Sequence, residues 1–311
     1  MAIPDYQTLM LPFVEILADG QIRRIVPQIT DALAARFGVT AAEREQHIAS
    51  GPMPTLDNRT HWAATYLAKA RLIERPTRGH ARITDRGRVA LAEKPPKINI
   101  AYLRQFPEFE EFRTRTKQAA AGIPGAAPDD HAVQNPEELL YVTYDALRAS
   151  VEAEILERLQ SDDFQWDAFE LLVVELLGAM GYGGSVDEAH ARVTKKGGDD
   201  GIDGVIDQDR LGLDSVYIQA KKYAAKNGVG RPALQAFAGS LEGQRAAKGV
   251  FITTSYFTAD ADDYVRRISR RIILIDGRML ARLMYDYGLG VRSRRSLDVK
   301  RIDDAYFEGE A

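Results

Sequence analysis

The chain changes its rhythm of apolar and polar positions near the middle. At the start, Leu9, Phe13, Ile16 and Leu17 recur at helical spacing. Ile22, Ile25, Val26, Ile29 and Leu33 do so again, up to a stop at Gly38. The stretch GPMPT breaks the chain, and Asn58 or Thr60 is the expected cap of a third helix through Trp62, Tyr66, Leu67 and Ala70. LIERPTRGHARITDRG then alternates apolar and polar residues around Arg78-Gly79, the pattern of a β-hairpin. From Glu93 to Pro136 periodicity fades into turn-formers, with INIAYLRQFPEFEEF as a short element able to dock and AAAGIPGAAPDDHAVQNP as mobile linker. Asn135, Pro136 and Glu138 signal a helix start, with Asn as cap and Glu three residues on. The helix that follows carries Leu139, Leu140, Leu147, Val151 and Ile155.

Beyond it, helices and strands alternate. Phe169, Leu172, Val173, Leu176, Leu177 and Met180 form one helical face, closed by Gly181. Strands are expected around Ala191–Thr194, Gly201–Ile206 and Val216–Lys222, then a helix over Pro232–Gln244 and a buried strand at Gly249–Thr254. A helix at Asp260–Ile268, a strand at Arg271–Ile275 and a helix over Gly277–Tyr287 complete the pattern. The order αβββαβαβα predicts a mixed sheet flanked by helices. The fold class is therefore α+β in two domains.

A length of 311 residues fits two domains, and 45% apolar with 28% charged residues reads as soluble and globular. Without cysteine there are no disulfides, thiolate metal sites or cysteine nucleophile. No apolar run is long enough to span a membrane, and the start lacks a positive n-region, so the expected location is the cytoplasm. The net charge of −4 does not announce a nucleic-acid binder. Its distribution says more: Lys69, Arg71, Arg75, Arg78, Arg82, Arg86 and Arg88 crowd one short segment, and a second basic stretch runs from Arg266 to Arg295, where local patches rather than the sum would meet phosphates or, equally, solvent.

Three helices with an arginine-tipped hairpin after the third resemble a winged helix-turn-helix. That arrangement suits DNA, the third helix entering the major groove and the hairpin lying along the backbone. Arg59, Thr60, His61 and Lys69 are then on or near the reading helix. Arg78, His80 and Arg82 are expected phosphate contacts from the wing, which place the protein and carry no sequence information.

The chemistry concentrates in GGDDGIDGVI and VYIQAKK. Asp203 sits in an otherwise apolar strand between Gly201 and Gly204, which leave room on both sides of the acid. In the next strand, the period of two puts Tyr217, Gln219 and Lys221 on one face and Val216, Ile218 and Ala220 on the other. If the strands pair, a carboxylate, an amide oxygen and an ammonium share a pocket. Oxygen ligands of this kind suit Mg²⁺, and the lysine orients a water or steadies developing charge, so the set reads as a phosphodiester-cleaving site. Glu170 borders the apolar face of its helix at roughly 90° from its centre, by the ~100° step per residue, and is the helix-borne acid expected to join them; Glu175 lies further round. A calcium loop fails, since Asp207 to Gly212 breaks the required spacing. No phosphate-binding G-x-x-x-x-G-K-[ST] occurs, and Ser255 lacks a G-x-S-x-G frame.

FELLVVELLGAMGY, GGDDGIDGVI, VYIQAKKY, KGVFITTSYFT and ILIDGRMLARLM, spanning about Phe164 to Val291 in order, resemble the catalytic domain of Mrr-type restriction endonucleases, a type IV branch of the PD-(D/E)xK nuclease superfamily. DNRTHWAATYLAKARLIE is similar to the family's winged-helix DNA-reading domain. The resemblance implies a Mg²⁺-dependent endonuclease cutting duplex DNA that carries methylated bases. It makes Asp203 a metal ligand and first acid, Lys221 the motif lysine and Glu170 the helix acid. Gln219 stands where many superfamily members have Asp or Glu, an exchange shared by the Mrr branch; the amide is the weaker ligand. Lys222, on the opposite strand face, is expected to touch DNA backbone or solvent.

The expected organisation is a winged-helix domain at 1–95, a linker at 96–136, a connector helix at 137–163, the nuclease domain at 164–295 and a tail at 296–311. Cutting both strands needs two sites, so a homodimer or higher homo-oligomer is expected. The alternative is a DNA-binding regulator whose nuclease-like domain is inactive, and a third reading is a module for protein assembly.

Overall fold

A computed structural model describes residues 3–48, 51–119, 134–183, 201–208, 213–300, 302 and 306, with residue 119 described by its backbone alone. The expected strand at 191–194 and the acids Asp199, Asp200 and Asp209 lie outside the described residues. The chain divides into two compact units, Met1–Ala146 with Val299–Ala311, and Leu147–Asp298. Among the described residues no helix is long and apolar enough to cross a membrane.

In the first unit, α1 (Tyr6–Ile16) is capped by Asp5, whose carboxylate accepts from the Gln7 and Thr8 amides. The segment after it departs from the expected helix. Arg23–Arg24 is strand β1, Val26 is extended, and helix α2 runs only over Thr30–Phe37, closed by Gly38 in the left-handed conformation. Pro27 accounts for this, since a residue before proline is pushed out of the helical region. After a single turn, α3 (Ala41–Arg44), comes α4 (Thr55–Lys69). This helix begins at Thr55 with Pro54 in the cap position, so Asn58 and Thr60 are interior residues and not caps. Strands β2 (Ile73–Glu74) and β3 (His80–Ile83) form the expected hairpin, and β1 joins β3 on its other edge, giving the order β1-β3-β2. Helix α5 (Asp85–Ala92) follows, capped by the Thr84 hydroxyl.

Residues assigned to the linker are partly core. Helices α6 (Ile100–Leu103) and α7 (Pro107–Ala119) bury Ile98, Ile100, Leu103 and Phe109 in the same cluster as Leu9, Phe13, Leu56 and Leu67. Phe109 and Phe112 pack edge-on to Tyr66 of α4. Truncating fully buried Phe109 to alanine is expected to cost ~3–5 kcal/mol, because the aromatic contacts leave a cavity when removed. Helix α5 is held to α7 by Arg86, which donates to both carboxylate oxygens of Glu108 at 2.8 and 3.1 Å.

The long helix α8 (Pro136–Gln160) starts as its sequence indicates: Asn135 Oδ1 accepts from the amides of Glu137 and Glu138. It is followed by α9 (Trp166–Ala179). The sheet of the second unit consists of β4 (Gly204–Asp207), β5 (Ser215–Lys221), β6 (Lys248–Thr253) and β7 (Arg271–Ile275), in that spatial order. β4 and β5 are antiparallel; β5–β6 and β6–β7 are parallel, joined through α10 (Arg231–Gly243) and α11 (Ala259–Arg267). Helix α12 (Gly277–Tyr287) closes the unit.

The alternation in β5 and β6 explains the layers. Val216, Ile218, Ala220, Val250 and Ile252 face a core with Phe169, Val173 and Leu177 of α9 and Leu280 and Met284 of α12. Tyr217 and Phe251 face a second core with Leu234, Phe237 and Leu241 of α10 and Ala261 of α11. A strand buried on both faces must be apolar throughout, and VFIT in β6 is such a run.

Candidate active site

The site is built where β5 leaves the sheet. β4 pairs with β5 in the register Gly204↔Ile218 and Val205↔Tyr217, and the ladder continues one step, with the Asp203 amide donating to Ile218 O at 2.9 Å. The Asp203 carboxylate turns back over β5: its Oδ2 accepts from the Ala220 amide at 2.7 Å. Asp203 is thereby fixed between Gln219 and Lys221 along the chain of β5.

Gln219 is 6% exposed, and its Oε1 has no hydrogen-bond partner among the described residues. An orphaned buried amide oxygen forfeits about 1–3 kcal/mol unless something else meets it. Gly201 lies directly against the other end of this amide. Lys221 is half-buried at the end of β5, and its backbone carbonyl accepts from Thr253 Oγ1 at 2.8 Å and from the Thr254 amide. Thr254, itself fully buried, exchanges hydrogen bonds with the backbone of Tyr223. The two threonines therefore hold the chain on which Lys221 is mounted. Sequence reasoning passed over them, although a TT pair closing an apolar strand is a visible signal.

Glu170 stands one turn into α9, half-buried, with Oε1 accepting from the Trp166 indole at 2.5 Å. Its helix covers the Val216/Ile218/Ala220 face of β5, opposite the face of Tyr217, Gln219 and Lys221. No described contact joins Glu170 to Asp203, Gln219 or Lys221. Among the described residues no three Asp, Glu or His side chains gather as a cation site. Two oxygen donors are set on neighbouring backbone: the Asp203 carboxylate at the Ala220 amide and, on the preceding residue, the unpartnered amide oxygen of Gln219. Both are hard oxygen donors of the kind Mg²⁺ takes.

Lys222 differs from expectation. Its ammonium donates to Ser161 O at 2.9 Å, ahead of α9, so it is engaged by the protein's own backbone and does not project freely. Ser255 is buried, as its lack of a nucleophile frame implied.

In the first unit, two of the expected DNA-reading residues point inward. Thr60 is 0% exposed and its hydroxyl bonds to Leu56 O. Arg59 donates to Glu138 Oε1 at 2.6 Å and to the carbonyls of Ile3 and Pro4. These assignments are withdrawn, and the reason is position: α4 is the central helix of the unit, packed against α1, α2, α6, α7 and β2. His61 and Lys69 line a groove of about 810 Å³ with Trp62, Thr65 and Arg75, facing Glu137 and Tyr141 of α8. On the hairpin, Arg78 is exposed and has no ion-pair partner among the described residues; Arg82 is paired with Glu74, and His80 Nδ1 lies 3.1 Å from Thr77 Oγ1.

The second unit is thus a mixed sheet with an acid ahead of one strand and an amide and a lysine on the next, flanked by helices. Comparisons with known proteins give its class. The family described as restriction endonuclease, Mrr_cat, matches residues 161–284, and the Mrr N-terminal domain matches residues 6–93. The type IV methyl-directed restriction enzyme EcoKMrr of Escherichia coli (strain K12) is 36% identical over 313 residues, covering 99% of this chain and 100% of that one. The chain belongs to the Mrr family and is a restriction endonuclease.

Solved structures overlap more loosely. The MspJI restriction endonuclease in complex with a 27-mer oligonucleotide is 25% identical, with a TM-score of 0.36 over 44% of this chain and 31% of its own. The DNA modification-dependent restriction endonuclease AspBHI is 19% identical, with a TM-score of 0.34 over 71% of this chain and 56% of its own. Neither overlap is close enough to carry a structural argument.

Proposed function

We propose that this restriction endonuclease hydrolyses phosphodiester bonds of methylated duplex DNA with Mg²⁺, using Asp203, Gln219 and Lys221. The observation that carries the reading is the buried, unpartnered Oε1 of Gln219, on the strand face that also bears Lys221 and one residue before the Ala220 amide that holds the Asp203 carboxylate. Asp203 and Gln219 would hold the ion; Glu170, whose helix packs on the other face of β5, stays a candidate acid of the site. When bound, a divalent ion polarises the phosphate and lowers the pKa of a coordinated water. The Lys221 ammonium would face the negative charge that grows on the phosphoryl oxygens and lower its energy. The Ala220 amide orients the Asp203 carboxylate, so no reorganisation is needed as charge develops.

For the first unit, the order α1-β1-α2-α4-β2-β3 supports a winged helix, with β1 completing the hairpin sheet. The hairpin tip with Arg78 is the part offered to phosphates. Direction toward methylated DNA rests on the Escherichia coli relative, whose name carries that property.

The test pairs methylated and unmethylated plasmids, with Mg²⁺ or with EDTA, using wild type and Lys221→Ala. Cutting of methylated DNA alone, abolished by EDTA and in the variant while gel-shift binding persists, is the expected result. Equal cutting of both plasmids would remove the methyl dependence. Cutting that survives Lys221→Ala would remove the assigned site.

A further inference from the structure

The fold treats the two lysines that end VYIQAKK differently. Lys221 belongs to the Tyr217 and Gln219 face of β5. By the period of two, Lys222 continues the row of Val216, Ile218 and Ala220, which packs in one core with α9 and with Ile155 and Leu159 of α8. At the edge of that core the half-buried Lys222 ammonium donates at 2.9 Å to Ser161 O, the carbonyl of the first residue beyond α8. Carbonyls at a helix C-terminus carry partial negative charge, so a cation is favoured there. The neighbouring bonds hold the same stretch of chain. Gln160 Nε2 donates to Thr254 O at 2.6 Å. The Thr254 hydroxyl accepts from the Tyr223 amide at 2.9 Å and donates to Tyr223 O at 2.7 Å. Residues 221, 222 and 223 are thus anchored in succession: the first by its carbonyl, the second by its ammonium, the third by both backbone groups.

We infer that Lys222 and Thr254 are positioning residues for Lys221: tying the end of β5 to Ser161 O and to the end of β6, they fix the backbone from which the Lys221 ammonium reaches the phosphate. A lysine carries its charge on a flexible four-carbon stem, so the place of the ammonium depends on how firmly its Cα is held. A misplacement of about 1 Å at a reacting centre can slow a reaction about 10²-fold. The bond from Lys222 is charge-assisted, which makes it stronger than a neutral one, and partial burial limits its screening by salt. The same bond occupies the Lys222 head, which therefore does not serve as a phosphate contact. This role rests on Lys221 being the lysine of the site; it assigns the second lysine to the first and not to the substrate.

The experiment compares Lys222→Met, which keeps most of the stem and removes the ammonium, with Lys222→Arg, which restores a cation able to donate. Both are measured on methylated plasmid with Mg²⁺, beside Lys221→Ala. For Lys222→Met the expected result is a kcat lower by about 10- to 100-fold, with KM, gel-shift affinity and its salt slope unchanged, and recovery in Lys222→Arg. Added to Lys221→Ala, Lys222→Met is expected to lower cleavage no further, because it acts through the residue already removed. A raised KM and a salt slope smaller by about 1, with kcat kept, would make Lys222 a phosphate contact and overturn the inference. So would a lower melting temperature with kcat kept, the mark of a purely structural bond. If Lys222→Met does not fold, Thr254→Val against Thr254→Ser decides: the first is expected to lower kcat and the second to restore it, and equal kcat in both overturns the inference. Amide exchange of the metal-free protein gives a reading without cleavage. The Tyr223 amide is expected to exchange faster in Lys222→Met and at the wild-type rate in Lys222→Arg, and no change overturns the inference. Lys221→Ala that cuts like wild type would remove the nuclease reading and this role with it. Lys221→Ala that cuts nothing, beside a Lys222→Met with wild-type kcat, would remove this role alone.

Discussion

Gly201 and the amide of Gln219 are in direct apposition: a Cβ built on Gly201 would lie 2.9 Å from Gln219 Nε2. Gly201 also has a φ of +80°, a conformation that L side chains rarely adopt. Two independent requirements therefore exclude a side chain here. Gly201→Ala is expected to cost about 1–3 kcal/mol in backbone strain and to displace the Gln219 amide, lowering cleavage more than DNA binding. Thermal unfolding together with single-turnover cleavage tests this; unchanged cleavage would mean that the amide does not serve the site.

Gln219 separates a ligand from a structural role. Gln219→Leu removes an orphaned buried oxygen, so folding stability is expected to hold or rise while cleavage is lost. Gln219→Glu restores a charged ligand and is expected to lower the Mg²⁺ concentration that gives half-maximal cleavage. A leucine variant that melts early but still cuts would assign Gln219 to packing.

The arginines of the first unit divide by environment. Arg78→Ala, at the exposed hairpin tip, is expected to weaken DNA binding without regard to sequence and to reduce the salt slope of log K by about 1. Arg59→Ala strands the 2%-exposed Glu138 carboxylate and is expected to destabilise the fold by ~3–5 kcal/mol, leaving that slope unchanged. Gel shifts at several salt concentrations, beside urea melts, distinguish the two. The reverse pattern would reinstate α4 as the reading element.

Glu108 predicts the acid limb of stability. The hydrogen bond from Arg86, aided by its own backbone amide, holds this carboxyl down to about 2. A carboxyl whose folded pKa lies below its unfolded value stabilises above the unfolded pKa, and that contribution is lost as pH falls through the folded one. Wild-type melting temperature is thus expected to fall between about pH 4.5 and pH 2, by the ordinary glutamate range, more steeply than that of Glu108→Gln. Parallel melting profiles would show that the pair contributes nothing.

Much of this protein is legible in its sequence. VYIQAKK announces a strand with Gln219 and Lys221 on one face, and the strand is found over Ser215–Lys221. The helices over Arg231–Gly243, Ala259–Arg267 and Gly277–Tyr287 lie within a residue or so of their expected limits, and Asn135 caps α8 as its spacing indicates. Periodicity and caps are local properties, set by the backbone's own geometry, and so they survive in one dimension.

Tertiary structure alone decided the rest. Thr60 and Arg59 turn inward because α4 is surrounded by other helices, which no helical wheel of α4 can reveal. Arg23 and Arg24 are strand because β3 lies beside them, and residues 98–113 join the core because α4 presents aromatic faces to receive them. The contact between Gly201 and Gln219 and the engagement of Lys222 by Ser161 likewise depend on which surfaces meet. A sequence pattern marks a face as apolar or polar; only packing decides what that face finds opposite it.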